Sequence, residues 1–186
     1  MNSVVIDTED TDNYVQAAYV ANRIPGTLLL RHKNKLVDAQ FLCNENMIDC
    51  IIPLHIMTGC DHTSGFYGIG KKTVADRVRK SSEARNLLAS CGVSLQLTDE
   101  VAGKMTKFVI RYVYSDTNSE TPAAAKVSKW KSQKKKNLTR MIPDTDSLLH
   151  HIRRVNYLSY LQKHYYLKEH PSPLTVGGAL LTAFAY

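Results

Sequence analysis

The sequence predicts a helix-rich α/β domain, and three observations carry that expectation. Two short apolar runs near the start, Ser3–Thr8 and Gly26–Arg31, have the length of strands and stop at polar residues. Further on, apolar side chains recur at helical spacing, first Val101, Met105, Phe108 and Tyr112, then Leu148, Ile152, Val155, Leu158 and Leu161. The 186-residue chain is 44% hydrophobic and 22% charged, a globular balance that excludes wholesale disorder. No apolar run reaches the ~18 residues that a membrane-spanning helix needs.

The elements follow in order. Ser3–Thr8 reads as a buried strand. Thr11–Asn22 reads as a helix, with Tyr14, Ala17, Ala18 and Ala21 on one face. Pro25-Gly26 is a turn and Gly26–Arg31 a second strand. Lys33–Lys35 is a polar turn, and Leu36–Leu42 fits either a third strand or a short helix. Asn44 can cap a helix bearing Met47, Ile48, Ile51 and Ile52, which Pro53 should kink or restart. A glycine-rich turn, Gly65–Gly70, then opens a basic helix from about Lys71 to Lys80 with Val74 and Val78 inward. Ser82–Cys91 reads as helical. Thr98 is a capping hydroxyl, with Asp99 and Glu100 favourable in the first turn of the next helix. Asp116–Ala125 is small and polar, Lys126–Arg140 reads as a basic linker, and Pro143-Asp144 opens the last long helix. The divisions are therefore 1–92, 93–117 (a packing helix), 118–142 (a basic linker), 143–170 (a C-terminal helix) and a tail, 171–186, with no assigned role.

Charge narrows the partners. Lys and Arg number 24 against 17 Asp and Glu, a net +7. Residues 126–140 hold seven basic residues and no acid, so the rest of the chain balances. That run reads as a solvated linker, a phosphate contact or a nuclear import signal. Residues 71–80 hold five basic residues and one acid beside the glycine turn. The four cysteines form no C-x-x-C pair and no zinc spacing. The opening residues have neither the basic nor the apolar region of a secretory signal. Reduced thiols in the nucleus or cytoplasm are expected.

Two features carry chemistry. In Thr8-Glu9-Asp10-Thr11-Asp12, an extended backbone would aim Asp10 and Asp12 the same way, into a cleft at the carboxyl edge of a sheet. Paired carboxylates suit Mg²⁺ or Mn²⁺. The same letters also suit helix capping, with Asp10 or Thr11 as N-cap and Asp12 in the first turn. Asp61, in Gly59-Cys60-Asp61, is a third carboxylate or an ordinary turn residue. The second feature is the glycine turn. Read as G-x-x-x-x-G-K it falls short of a nucleotide-binding loop, because Lys72 stands where Ser or Thr should bind magnesium. No nucleotide cofactor is expected. A backbone phosphate suits it better: Gly68 and Gly70 permit close approach, the following helix offers N–H groups, and Lys71, Lys72, Arg77 and Lys80 surround the point. A tight helix–helix turn with a solvated basic helix is the plainer alternative.

Taken in order, Thr8–Asp12, Gly59–Asp61 and Gly68-Ile69-Gly70-Lys71-Lys72-Thr73-Val74-Ala75 resemble the motifs of the flap-endonuclease (XPG-type) branch of the PIN-domain nucleases. The stretch from Pro53 to Phe66 and the segment from His150 to Tyr157 are also similar to uncharacterised animal proteins associated with mobile elements. The resemblance covers residues 4 to about 80. It implies the C-terminal part of a PIN-like domain, a helix-hairpin-helix at about 56–80, and appended C-terminal helices. It further implies Asp10, Asp12 and Asp61 as ligands of one Mg²⁺ or Mn²⁺ ion, half of a two-ion site that hydrolyses phosphodiesters of branched or junction DNA. The family's first strand and middle acidic motif lie upstream of the T-E-D-x-D stretch, so a partner chain or an N-terminal segment is expected to complete the sheet. Two functions follow: a metal-dependent structure-selective nuclease, or a non-catalytic nucleic-acid-binding module that kept the hairpin.

Overall fold

The computed structural model describes residues 3–133, 137–167, 169 and 171–172. Lys134–Lys136 and most of the 171–186 tail lie outside the described residues.

A β–α–β unit opens the chain. β1 (Ser3–Asp7) pairs in parallel with β2 (Thr27–His32), from Ser3 opposite Thr27 to Asp7 opposite Arg31. Between them runs α1 (Thr11–Ala21). β2 turns back through Lys33-Asn34 into antiparallel β3 (Lys35–Asp38), giving a sheet ordered β1-β2-β3. The Leu36–Leu42 segment divides: its first part is strand, and Ala39–Leu42 is a 3₁₀ turn capped by Asp38. Ala17, Ala21, Leu28, Leu30 and Ala39 form a small core between α1 and β2.

One expectation is corrected here. β1 is exposed along its whole length, with Val4 at 56% and Val5 at 45%. An apolar run reports the capacity to be buried; it does not supply a covering layer. α1 buries β2, and among the described residues β1 is an edge paired on one side only.

The helical body is built around α2 (Ile48–Met57), reached through a 3₁₀ turn that Asn44 caps. α2 is apolar on nearly every side, as a helix at the centre of a core must be, and it packs against α1, α4 and α7. Pro53 neither ends nor restarts it. The carbonyl that proline leaves without a donor is that of Asp49, an exposed position where water can serve. α3 (Lys71–Lys80) buries Val74 and Val78 as expected, and α4 (Ser82–Ala89) ends short of Cys91. α5 (Asp99–Phe108), capped by Thr98, widens into a π turn over Val109–Val113.

The 118–142 stretch is not a plain linker. Thr121 caps α6 (Pro122–Ser132), with Pro122 in the first turn, where its missing N–H costs nothing. Alanines 123–125 then favour helix over loop. Met141 and Ile142 are buried, and the Tyr114 hydroxyl donates to Met141 O at 3.1 Å. α7 (Thr145–Lys163), capped by Asp144, buries Leu148, Ile152 and Val155, while Leu158 stays partly exposed. Among the described residues no helix is long and apolar enough to cross a membrane.

α7 also binds the loop after α4. Asn156, 2% exposed, accepts from Gly92 N at 2.8 Å and donates to Ser94 O and Leu95 O at 3.0 and 3.2 Å. Gly92 has φ +72°, and a Cβ there would lie 2.5 Å from Ser159 Cβ. Asn156→Ala should therefore destabilise by about 2–4 kcal/mol, the cost of leaving several buried backbone groups unpaired. Asn156→Asp should cost at least as much, since it sets a carboxylate against two carbonyls. Urea denaturation midpoints read both; wild-type midpoints would show that this junction is not holding the loop.

Candidate nucleic-acid interface

The residues singled out in the sequence fall at two places. The first is the end of β1. Asp10 is the N-cap of α1: its Oδ1 accepts from Asp12 N at 2.9 Å, and Thr8 Oγ1 accepts from Asp10 N at 3.1 Å. The capping alternative therefore describes Asp10. Asp12 lies in the first turn of α1, as that alternative also has it, and its side chain meets α2. Its Oδ1 lies 2.6 Å from Nε2 of His55, whose ring is buried. A carboxylate only accepts, so Nε2 carries the proton. Lys71 Nζ stands 3.4 Å from the other ring nitrogen, Nδ1. Asp12, His55 and Lys71 thus join the strand end, the central helix and the first residue of α3.

Asp61 lies elsewhere. Gly59, at φ +109°, and Gly65 meet at the neck of a pinched loop. A Cβ on Gly59 would sit 2.8 Å from Gly65 N, and one on Gly65 would sit 2.7 Å from Thr58 O. Cys60 and Thr63 exchange backbone hydrogen bonds, and Asp61 and His62 form the exposed tip. Among the described residues no three His, Cys, Asp or Glu side chains lie close enough to hold a metal ion. Asp10, Asp12 and Asp61 are thus not brought together as one group of three in this structure.

The second place is the glycine turn. Gly68 takes the left-handed conformation, φ +74°. Gly70 is the N-cap of α3, with no side chain bonded to the helix end and no acid in the first turn. The first N–H groups of a helix have no intrahelical acceptor, so this end keeps its partial positive charge uncovered. Open space surrounds the Gly70 α-carbon on the side a Cβ would occupy. Lys71 and Lys72 are exposed there.

The turn gains a basic residue that the sequence reading did not assign to it. A Cβ on Gly68 would lie 3.4 Å from Nε of Arg140, so the guanidinium stem rests against the turn. Arg140 closes the basic run, some seventy residues downstream, and no local spacing links it to Gly68. His55 was also unassigned. Its signal was a single histidine in an apolar helix, which once buried must find a partner.

Other expected contacts are redistributed. Arg77 donates to Tyr112 O and Val113 O at 3.0 and 2.8 Å, closing the carbonyl end of the α5 segment. Lys80 is exposed at the far end of α3. α3 packs on α4 and on Val109–Val113, whereas α2 packs on α1, α4 and α7. The helices flanking the glycine turn are therefore not each other's main packing partners, as a closed hairpin would make them.

No protein-family model, curated protein or solved structure matches this chain.

Two outcomes are expected. Asp12→Ala removes the acceptor of a buried imidazole N–H and should cost about 1–3 kcal/mol, whereas Asp12→Asn, which keeps an acceptor oxygen, should recover much of it. Equal losses in urea denaturation would deny the pairing. The second concerns His151 on α7, bonded through Nε2 to Met57 O at 3.1 Å and edge-on to Phe66. Burial holds its pKa below the ordinary 6.5, against the pull of that hydrogen bond and aided by the Arg154 charge. A depressed histidine stabilises the fold above its unfolded pKa, and that contribution is lost as pH falls. Stability should thus decline below about pH 6.5, and His151→Gln should flatten the decline. Parallel pH profiles for the two proteins would contradict this.

Proposed function

We propose that this chain binds the sugar–phosphate backbone of DNA, without reading sequence, at the glycine turn and the start of α3. The observation that carries the reading is the uncapped amino end of α3 at Gly70, flanked by exposed Lys71 and Lys72 and by Arg140 against Gly68. Free helix N–H groups, open backbone and converging cations suit a phosphate. The Asp12–His55 pair supports it by giving the Lys71 ammonium a fixed neighbour. The ordered motifs resembling flap-endonuclease-type PIN nucleases favour the same partner, with the nucleus as its place of action. The phosphate-binding role is proposed for Gly68, Gly70, Lys71, Lys72 and Arg140. The binding-module reading is preferred over the nuclease because Asp10 and Asp12 already serve a cap and a histidine.

The test is fluorescence anisotropy with a labelled flap-bearing DNA duplex. Binding should be independent of sequence and should weaken steeply between about 50 and 200 mM salt. The Lys71→Glu, Lys72→Glu double variant should lose at least about tenfold and lower the salt slope by about two; Arg140→Ala should lower it by about one. Variants that bind like wild type would sink the reading. Mn²⁺-dependent cleavage of the flap, abolished by Asp61→Asn, would establish the nuclease reading in its place.

A further inference from the structure

A cleft of about 550 Å³ lies between α1, the end of α4 and the end of α7, and shares no residue with the glycine turn. Its volume is in the range that holds small molecules. One wall is cationic. Arg23 lies over the Tyr19 ring, 3.7 Å from its centroid, and pairs with Asp49 at 2.6 Å. Lys163 reaches in from α7 and donates to Cys91 O at 2.6 Å and more weakly to Ala89 O at 3.4 Å. An ammonium carries three N–H groups, so beyond these two acceptors one remains without a partner among the described residues.

Lys163 is the unexplained group. Lys163 is half-buried, and that burial lowers its pKa. A charge drawn partly out of water is commonly paired. Yet no carboxylate among the described residues forms an ion pair with it, and Asp49, whose charge reaches it, is committed to Arg23. An anion entering the cleft would supply the missing charge. The other wall is aromatic: Tyr165 and Tyr166 meet edge to face at 5.8 Å, and Tyr166 is exposed. Planar rings stack on such surfaces. The second Asp49 oxygen and the tyrosine hydroxyls offer acceptors and donors that the edge of a nucleobase uses and a plain aromatic acid leaves idle.

We propose that this cleft binds a nucleobase carrying a phosphate, with the phosphate at Lys163 and the base against Tyr166. That chemistry is shared by a free mononucleotide and by the phosphorylated end of a nucleic-acid strand. The proposal does not rest on the glycine-turn reading.

Calorimetric titration of the full chain with AMP tests it. AMP should bind saturably, with adenosine and inorganic phosphate each at least about tenfold weaker. Lys163→Met keeps the length and apolar body of the side chain and should weaken AMP at least about tenfold, with thermal unfolding verifying the fold. Tyr166→Ala, at an exposed position, should weaken it by about threefold to tenfold, the loss of one stacking face. A 5′-phosphorylated oligothymidylate compared with its unphosphorylated form separates the sources. A phosphate preference that Lys163→Met erases assigns the strand end, and AMP binding without such a preference assigns the free nucleotide. No saturable AMP binding together with no phosphate preference, or AMP affinity unchanged in both variants, overturns the proposal. Lys71 and Lys72 variants should leave AMP binding intact, so the cleft and the glycine turn stand or fall separately.

Discussion

His55 sets a condition that the surrounding architecture meets. It sits in α2, the most buried helix of the described structure, at 7% exposure and among apolar neighbours. A buried imidazole with an unpaired N–H costs as much as several buried methylenes contribute. The residue that relieves this cost, Asp12, belongs to the first turn of α1 and thereby to the end of β1. The Asp12–His55 contact therefore ties the β–α–β unit to the helical body, together with the Arg23–Asp49 pair and the packing of Tyr19 into the main core. The other nitrogen faces Lys71, so the same ring also reaches the start of α3. One buried polar group thus ties together three elements that come from well-separated parts of the sequence.

The carboxylates near residue 10 are better understood from that condition than from spacing. An extended backbone would have aimed Asp10 and Asp12 together. The chain instead enters α1 at Thr11, which turns successive side chains by about 100° rather than 180°. Asp10 then serves the helix end and Asp12 the histidine. Asp61 stands at the exposed tip of the loop that the Gly59–Gly65 neck closes.

Much of the fold was legible because it depends on local rules. α3 begins and ends at the expected residues, since a glycine turn and an inward Val74, Val78 pair define it. Thr98 and Asp144 cap the helices they were expected to open. β1 was misread because burial is decided by what covers a strand, and its apolar letters do not contain that information. α6 was passed over because the lysine count outweighed the Thr121-Pro122 start and the alanines after it. At the site, Lys71, Lys72 and the glycines could be read from adjacency in the chain. His55 and Arg140 required knowledge of which distant segments meet. Arg77 illustrates the converse: its charge was legible, but the carbonyls of Tyr112 and Val113 that hold it were not.

The charge surplus changes meaning with the fold. Residues 126–140 carry seven positive charges and no negative one, which in a free linker would form a diffuse cloud. Here the run begins on α6, packed through Ala125, and ends beside buried Met141 and Ile142, with Met141 O held by Tyr114. Both ends are anchored, and the downstream anchor places Arg140 against Gly68. Anchoring reduces the ordering entropy that a flexible basic tail must lose on meeting a polyanion. Arg140, the last residue of the basic run, and the glycine turn before α3 therefore meet, although the sequence separates them by α3, α4, α5 and α6.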